Sequence, residues 1–163
     1  MTDYRKFDKV VPRLNNYDYR THNYALYVYL DPFVEWKKSY RVGKNNVFFY
    51  YMPIYVGKLE SPLAYRMNQH WNLFKKGQQD SKNPYKKEYF QEIMKKMDHE
   101  REQPAPDPYM PKNWEDYKKG WIIIQKTFKN REDLRKYESQ MISAIGIRRD
   151  NTGPLVNVRR EKK

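Results

Sequence analysis

The sequence predicts a small α/β (α+β) domain: a three-stranded, largely antiparallel sheet flanked by helices, in the order β-β-α-α-β-α. Three observations carry this prediction. Two runs of strand formers, 24–30 and 47–57, stand close together and are joined by a segment containing Gly43 and Asn45-Asn46. Apolar residues then recur at helical spacing over 61–77 and again over 86–97. A further apolar strand at 121–128 leads directly into a capped amphipathic helix at 131–145.

Taken in order, residues 1–22 are polar, basic and weakly patterned, and read as an N-terminal arm. The first strand, YALYVYL, is rich in aromatic and β-branched residues and meets a turn signal at Asp31-Pro32. A loop holding Trp36, Lys37, Lys38 and Gly43 to Asn46 is expected next. The second strand, VFFYYMPIYVG, contains Pro53, which cannot donate to a ladder and so implies an edge position or a bulge. Ser61 followed by Pro62 is a hydroxyl cap before a proline at the first helical position. Leu63, Met67, Trp71 and Phe74 then share one face of a helix ending near Gly77.

A second helix is expected from Lys86 to Met97, with Phe90, Ile93, Met94 and Met97 turned inward. The stretch QPAPDPYMPK at 103–112 carries four prolines and is expected to be a surface loop. WIIIQKTF is apolar enough to predict the middle strand of the sheet. Asn130 caps the last helix, Glu132 and Asp133 favour its positive end, and Gly146 ends it. Leu134, Tyr137, Met141, Ile142 and Ile145 line its inner side. One domain over 23–158 is therefore expected, with insertions at about 32–46 and 98–118 and a basic tail at 159–163.

The charge points to a polyanionic partner. Lys and Arg number 33 against 20 Asp and Glu, a net +13, and such a field attracts nucleic acid before any other common polymer. No apolar run approaches the roughly 18 residues of a membrane span, and no secretory signal is evident at the start. The absence of cysteine removes disulfides and zinc–thiolate sites. A cytoplasmic protein without membrane contact is the expectation.

Six features in a fixed order carry the chemistry. Ala25-Leu26-Tyr27 lies on the first strand, and Tyr55-Val56-Gly57 on the second, followed by Lys58. Arg66 and His70 lie four apart on the next helix. Glu138 sits in an apolar helical stripe in KYESQMISAIG, and Asn157 closes the turn GPLVN. From Tyr24 to Asn157 this set resembles the GIY-YIG endonucleases, with alanine in place of the first glycine. The small stand-alone, often phage-borne members are the nearest in character.

The resemblance implies a hydrolase that cuts phosphodiester bonds, with Tyr27, Tyr55, Lys58, Arg66, His70, Glu138 and Asn157 at the site. Glu138 would hold Mg²⁺, for which one carboxylate completed by water and phosphate oxygens suffices, and Mn²⁺ would substitute. Arg66 would clamp a phosphate and His70 would exchange a proton. A tyrosine, with an ordinary pKa of about 10, serves as base near neutral pH only beside a cation such as Lys58 or the metal. Asn157 would order the site. Taken alone, each residue also has a plain reading: core tyrosines, a solvated Arg–His pair, a helix-edge glutamate paired with a cation.

Double-stranded DNA is the expected partner, held by Lys37, Lys38, Lys44, Lys75, Lys76, Arg148 and Arg149. Such phosphate contacts give affinity with little sequence preference. With one site per chain, cutting both strands needs two visits or a homodimer. Two alternatives stand beside the nuclease: a silent nucleic-acid-binding module on the same fold, and a basic protein-interaction module.

Overall fold

The computed structural model describes residues 24–59 and 84–157. The expected helix at 61–77, with Arg66, His70, Lys75 and Lys76, lies outside the described residues, as do the arm at 1–22 and the tail at 159–163. The described chain forms β1 (Tyr24–Val42), β2 (Asn45–Leu59), α1 (Pro84–Arg101), α2 (Trp114–Gly120), β3 (Ile122–Phe128) and α3 (Arg131–Ile145). The three strands make one antiparallel sheet in the order β2-β1-β3.

Two expectations about the strands are corrected. The first strand does not stop at Asp31-Pro32, and 32–46 is not a loop. β1 runs on to Val42, turns over Gly43 and Lys44, and pairs with β2 from Asn45 onward. Gly43, at φ 61, takes the first position of this two-residue turn, where a positive φ suits glycine. The ladder tolerates the turn signal because it breaks register three times, between Tyr29 and Leu30, Asp31 and Glu35, and Glu35 and Lys38. Such breaks bend a ribbon and increase its twist. The bent distal half folds back onto α3, where Gly43 sits so close to the Gln140 carboxamide that a Cβ would lie 3.0 Å from Oε1. Pro53 lies at the first break and on an edge strand, so both of its expected positions hold.

The second correction concerns β3, which is an edge strand; β1 is central. Ile122, Ile123 and Ile124 are all buried because helices cover both faces of the sheet, so a continuous apolar run reports two covered faces rather than a central place. Tyr27 and Tyr29 point to one face, where the Tyr29 ring lies 5.9 Å from Phe90 of α1 and 5.9 Å from Tyr117 of α2. Leu26 and Val28 point to the other, by the alternation of a strand. There Lys126, the partner of Leu26, places its ammonium over the Tyr137 ring of α3, and Phe128 packs on the same ring.

α3 follows its sequence signals. Asn130 caps it by accepting from Asp133 N–H at 2.8 Å, and Leu134, Tyr137, Met141 and Ile145 are buried while Ile142 is half-buried. At Gly146 (φ 93) an added Cβ would meet the Thr152 carbonyl oxygen, so the chain reverses there only with glycine. α1 is longer than expected, and its inner face is Tyr89, Phe90, Ile93 and Met97. Met94, expected inside, is exposed; its place is taken by Tyr89.

α2 was not expected, because seven residues following a proline-rich stretch carry little periodicity. Asn113 caps it by accepting from Asp116 N–H, and the Trp114 ring stacks on Tyr117 at 5.3 Å. It supplies a bond the sheet needs. Leu30 carries its carbonyl past the end of the β3 ladder, and Tyr117 Oη donates to it at 2.7 Å, with Tyr89 Oη at 3.4 Å. Burial pushes both phenols well above their ordinary range, so they remain neutral donors. Removing one donor from a buried carbonyl costs about 1–3 kcal/mol. Tyr117→Phe is expected to lower Tm by roughly 2–12 °C, measured by circular dichroism.

Candidate active site

Of the candidate catalytic residues singled out by sequence, those within the described chain lie on, or contact, four consecutive positions of β2. Gly57 is the register partner of Tyr27, and the Tyr27 ring lies directly across it. A Cβ at Gly57 would stand 2.3 Å from Tyr27 Cζ and 2.5 Å from its hydroxyl, so only glycine leaves room for this tyrosine. The Tyr55 ring is 6.4 Å from that of Tyr27 and stands edge-on to Tyr29 at 5.7 Å. Tyr27 is buried, whereas Tyr55 is half-buried.

Between Tyr55 and Gly57, Val56 donates its N–H to Asn157 Oδ1 at 2.9 Å and accepts from Asn157 Nδ2 at 2.8 Å. The carboxamide thus imitates a neighbouring strand and satisfies both backbone groups of an edge residue. Val156 N–H extends the same pairing to Ile54 O at 2.7 Å. Asn157 is itself buried, so its role is to hold β2 in register.

Lys58 ends the series, its ammonium 3.7 Å from Glu138 Oε1. The Glu138 side chain is 19 % exposed and that of Lys58 is 35 %, so the pair is reachable from water. Register pairs Lys58 with Leu26, on the face covered by α3, whereas Tyr27 and Tyr55 belong to the opposite face. Because β2 is the outer strand, its edge is where the two faces meet. The structure therefore gives two sets, Tyr27–Tyr55–Gly57 and Lys58–Glu138, on opposite faces of one strand whose outer edge Asn157 holds.

Among the described residues no group of three His, Asp or Glu side chains is placed to hold a metal ion. Glu138 as the single carboxylate fits a hydrated Mg²⁺, which keeps most of its waters, and does not fit an all-protein cage. Of the expected nucleic-acid contacts, Lys44 and Arg149 are exposed. Lys37 is 3.5 Å from Glu35, and Lys38 lies over the Trp36 ring at 4.2 Å. Arg148 is half-buried and donates through Nε to Pro154 O.

Sequence reasoning missed Asp31. Read as part of a turn, it is in fact buried within β1 and borders a cavity of about 90 Å³ with Glu92, Lys96 and Arg148. One oxygen accepts from Phe33 N–H at 2.9 Å. No sequence signal marks it, since its burial follows from β1 continuing past Pro32. Burial raises its pKa above the ordinary 3.8, outweighing the Phe33 bond and the Lys96 charge, which lower it. The native state then binds this proton more tightly than the unfolded chain, so stability falls as pH rises from 3.8 through the folded value. Asp31→Asn is expected to melt at higher temperature than the wild type at pH 7. The difference should close as pH approaches 3.8, followed by thermal melts across pH.

Comparison with known protein families, with curated proteins and with solved structures finds no match for this chain. No helix among the described residues is long and apolar enough to cross a membrane.

Proposed function

We propose that the chain is a metal-dependent endonuclease of GIY-YIG type that hydrolyses phosphodiester bonds in DNA. One observation carries the reading: residues far apart in sequence, Tyr27, Glu138 and Asn157, each engage one of the four consecutive residues Tyr55 to Lys58. The motif residues within the described chain thus share one stretch of strand, which supports the reading, and the glycine is demanded by the first tyrosine rather than by a turn.

In this reading the tyrosine pair orients the attacking water and takes its proton, and Lys58, on the other face of the strand, holds Glu138 in place. Glu138 would hold Mg²⁺, which supplies charge neutralisation on the phosphate and a more acidic water. Arg66, from the segment outside the described residues, would clamp the phosphate, and His70 would serve the leaving oxygen. Asn157 positions β2 without touching substrate.

A second reading has a specific observation in its favour. Lys58 already balances the Glu138 charge, as it would in a silent nucleic-acid-binding module with no need of a metal. End-labelled duplex DNA and duplex RNA, incubated with Mg²⁺, Mn²⁺ or EDTA, separate the two. The proposal expects DNA fragments with either metal and none in EDTA. Retention of intact DNA and RNA under all three conditions favours the silent module, and cleavage of RNA alone moves the substrate.

A further inference from the structure

The fold-back of the β1–β2 hairpin creates a feature unrelated to the tyrosine motifs. Between its tip and the outer side of α3 runs a groove of about 630 Å³, lined by Arg41, Arg135, Lys136, Ser139 and Gln140. A second groove, of about 490 Å³, continues it and shares Ala144; its lining includes Trp36, Lys38, Tyr40 and Arg148. Together they form one trough in which cations give way to an aromatic pair.

Three properties define what the trough accepts. Among the described residues, Lys38, Arg41 and Lys136 form no ion pair with a carboxylate, Lys38 lying over the Trp36 ring at 4.2 Å, while Arg148 also borders the cavity of Asp31 and Glu92, which meet part of its charge. Trp36 is half-buried and its indole N–H donates to Tyr40 Oη at 2.8 Å, which sets the ring in one orientation. The trough is shallow and open, bounded on one side by the hairpin tip where Gly43 sits against Gln140, and its volume is on the scale of a few nucleotides. Cations that follow a backbone beside an aromatic ring that stacks a base are the recognition elements of single strands.

We infer that this trough binds an unpaired nucleic-acid strand, with phosphates on Arg41, Lys136 and Arg148 and a base against Trp36. The inference rests on the nucleic-acid function proposed above and adds a structural preference: a substrate with a single-stranded segment, such as a flap or branch. Glu138 stands on the sheet side of the same helix, so a strand in the trough passes within about one helix diameter, roughly 10–12 Å, of it.

The test is binding in EDTA, where no cutting intervenes. Full-length protein is titrated against a labelled single strand of about 12 nucleotides, the same sequence as a blunt duplex, and phosphatidylserine vesicles. The variants are Arg41→Ser with Lys136→Ser, and Trp36→Leu, each checked for an unchanged melting curve. The double variant is expected to bind the single strand at least about tenfold more weakly and to flatten its log–log salt slope by about 1.4. Trp36→Leu is expected to weaken the single strand roughly tenfold, leave the duplex unchanged and keep the salt slope.

Wild-type affinity for the single strand in all variants overturns the inference, as does an equal loss on duplex and single strand with no effect of Trp36. A loss confined to vesicles assigns the trough to a lipid surface and also overturns it. If the trough variants bind normally while cutting still requires Glu138, the trough fails and the nuclease stands. If the wild type binds no nucleic acid at all, both fail.

Discussion

Glu138→Gln will reduce metal-dependent cleavage by roughly three orders of magnitude while leaving the protein folded and bound to DNA. The substitution keeps the shape of the side chain and removes only its charge, so lost activity reports lost metal. The ion pair with Lys58 goes as well, but with one partner 35 % exposed it is screened by water and is worth at most about 1 kcal/mol. A melting temperature near the wild-type value is therefore part of the expected result. Single-turnover cleavage at saturating Mg²⁺, alongside anisotropy binding in EDTA, measures both quantities. Unchanged cleavage would remove Glu138 from the site and leave it as the helix-edge partner of a lysine.

Gly57→Ala will be the most damaging single methyl group in the site. The added Cβ falls 2.3 Å from Tyr27 Cζ, well inside any real contact, so the ring must move. It has little space to do so, being 1 % exposed and held between Tyr29 at 5.8 Å and Tyr55 at 6.4 Å. Overpacking of this kind costs about 1–3 kcal/mol, a fall in Tm of roughly 2–12 °C for a chain of this size. Cleavage is expected to fall at least as far as in Tyr27→Phe, because the whole ring is displaced rather than its hydroxyl removed. Melting curves together with cleavage rates for both variants check this. A Gly57→Ala protein with wild-type stability and activity would mean that Tyr27 does not occupy the position the site requires.

The parts of the fold that sequence foretold are those determined locally. Asn130 and Gly146 bound α3 because a cap and a positive φ are properties of single residues, and the buried stripe of that helix follows from its period. Pro53 announced an edge or a bulge for the same reason. What escaped were consequences of pairing at a distance. Asp31-Pro32 reads as a turn in isolation, yet the ladder with β2 carries the strand through it by slipping register. Three consecutive isoleucines read as a central strand until helices on both faces account for their burial. α2 is too short for its pattern to stand out, and its value lies in the Tyr117 hydroxyl it brings to Leu30.

The candidate site divides in the same way. Residue types and their order along the chain point to Tyr27, Tyr55, Glu138 and Asn157. That Asn157 would act by bonding Val56 on both sides, and that Gly57 would be shaped to the Tyr27 ring, depends on register and had no local signal. The trough has no sequence signal, since Arg41 falls within the expected loop and meets α3 only because the hairpin bends back.

The proposed cleavage is metal-dependent and centred on Glu138. The most direct measurement is conversion of supercoiled plasmid by full-length wild type and Glu138→Gln, each in Mg²⁺ and in EDTA. Nicked or linear plasmid is expected from the wild type in Mg²⁺ alone. Plasmid bound but uncut by the wild type with metal present, or cut equally by the glutamine variant, would contradict it.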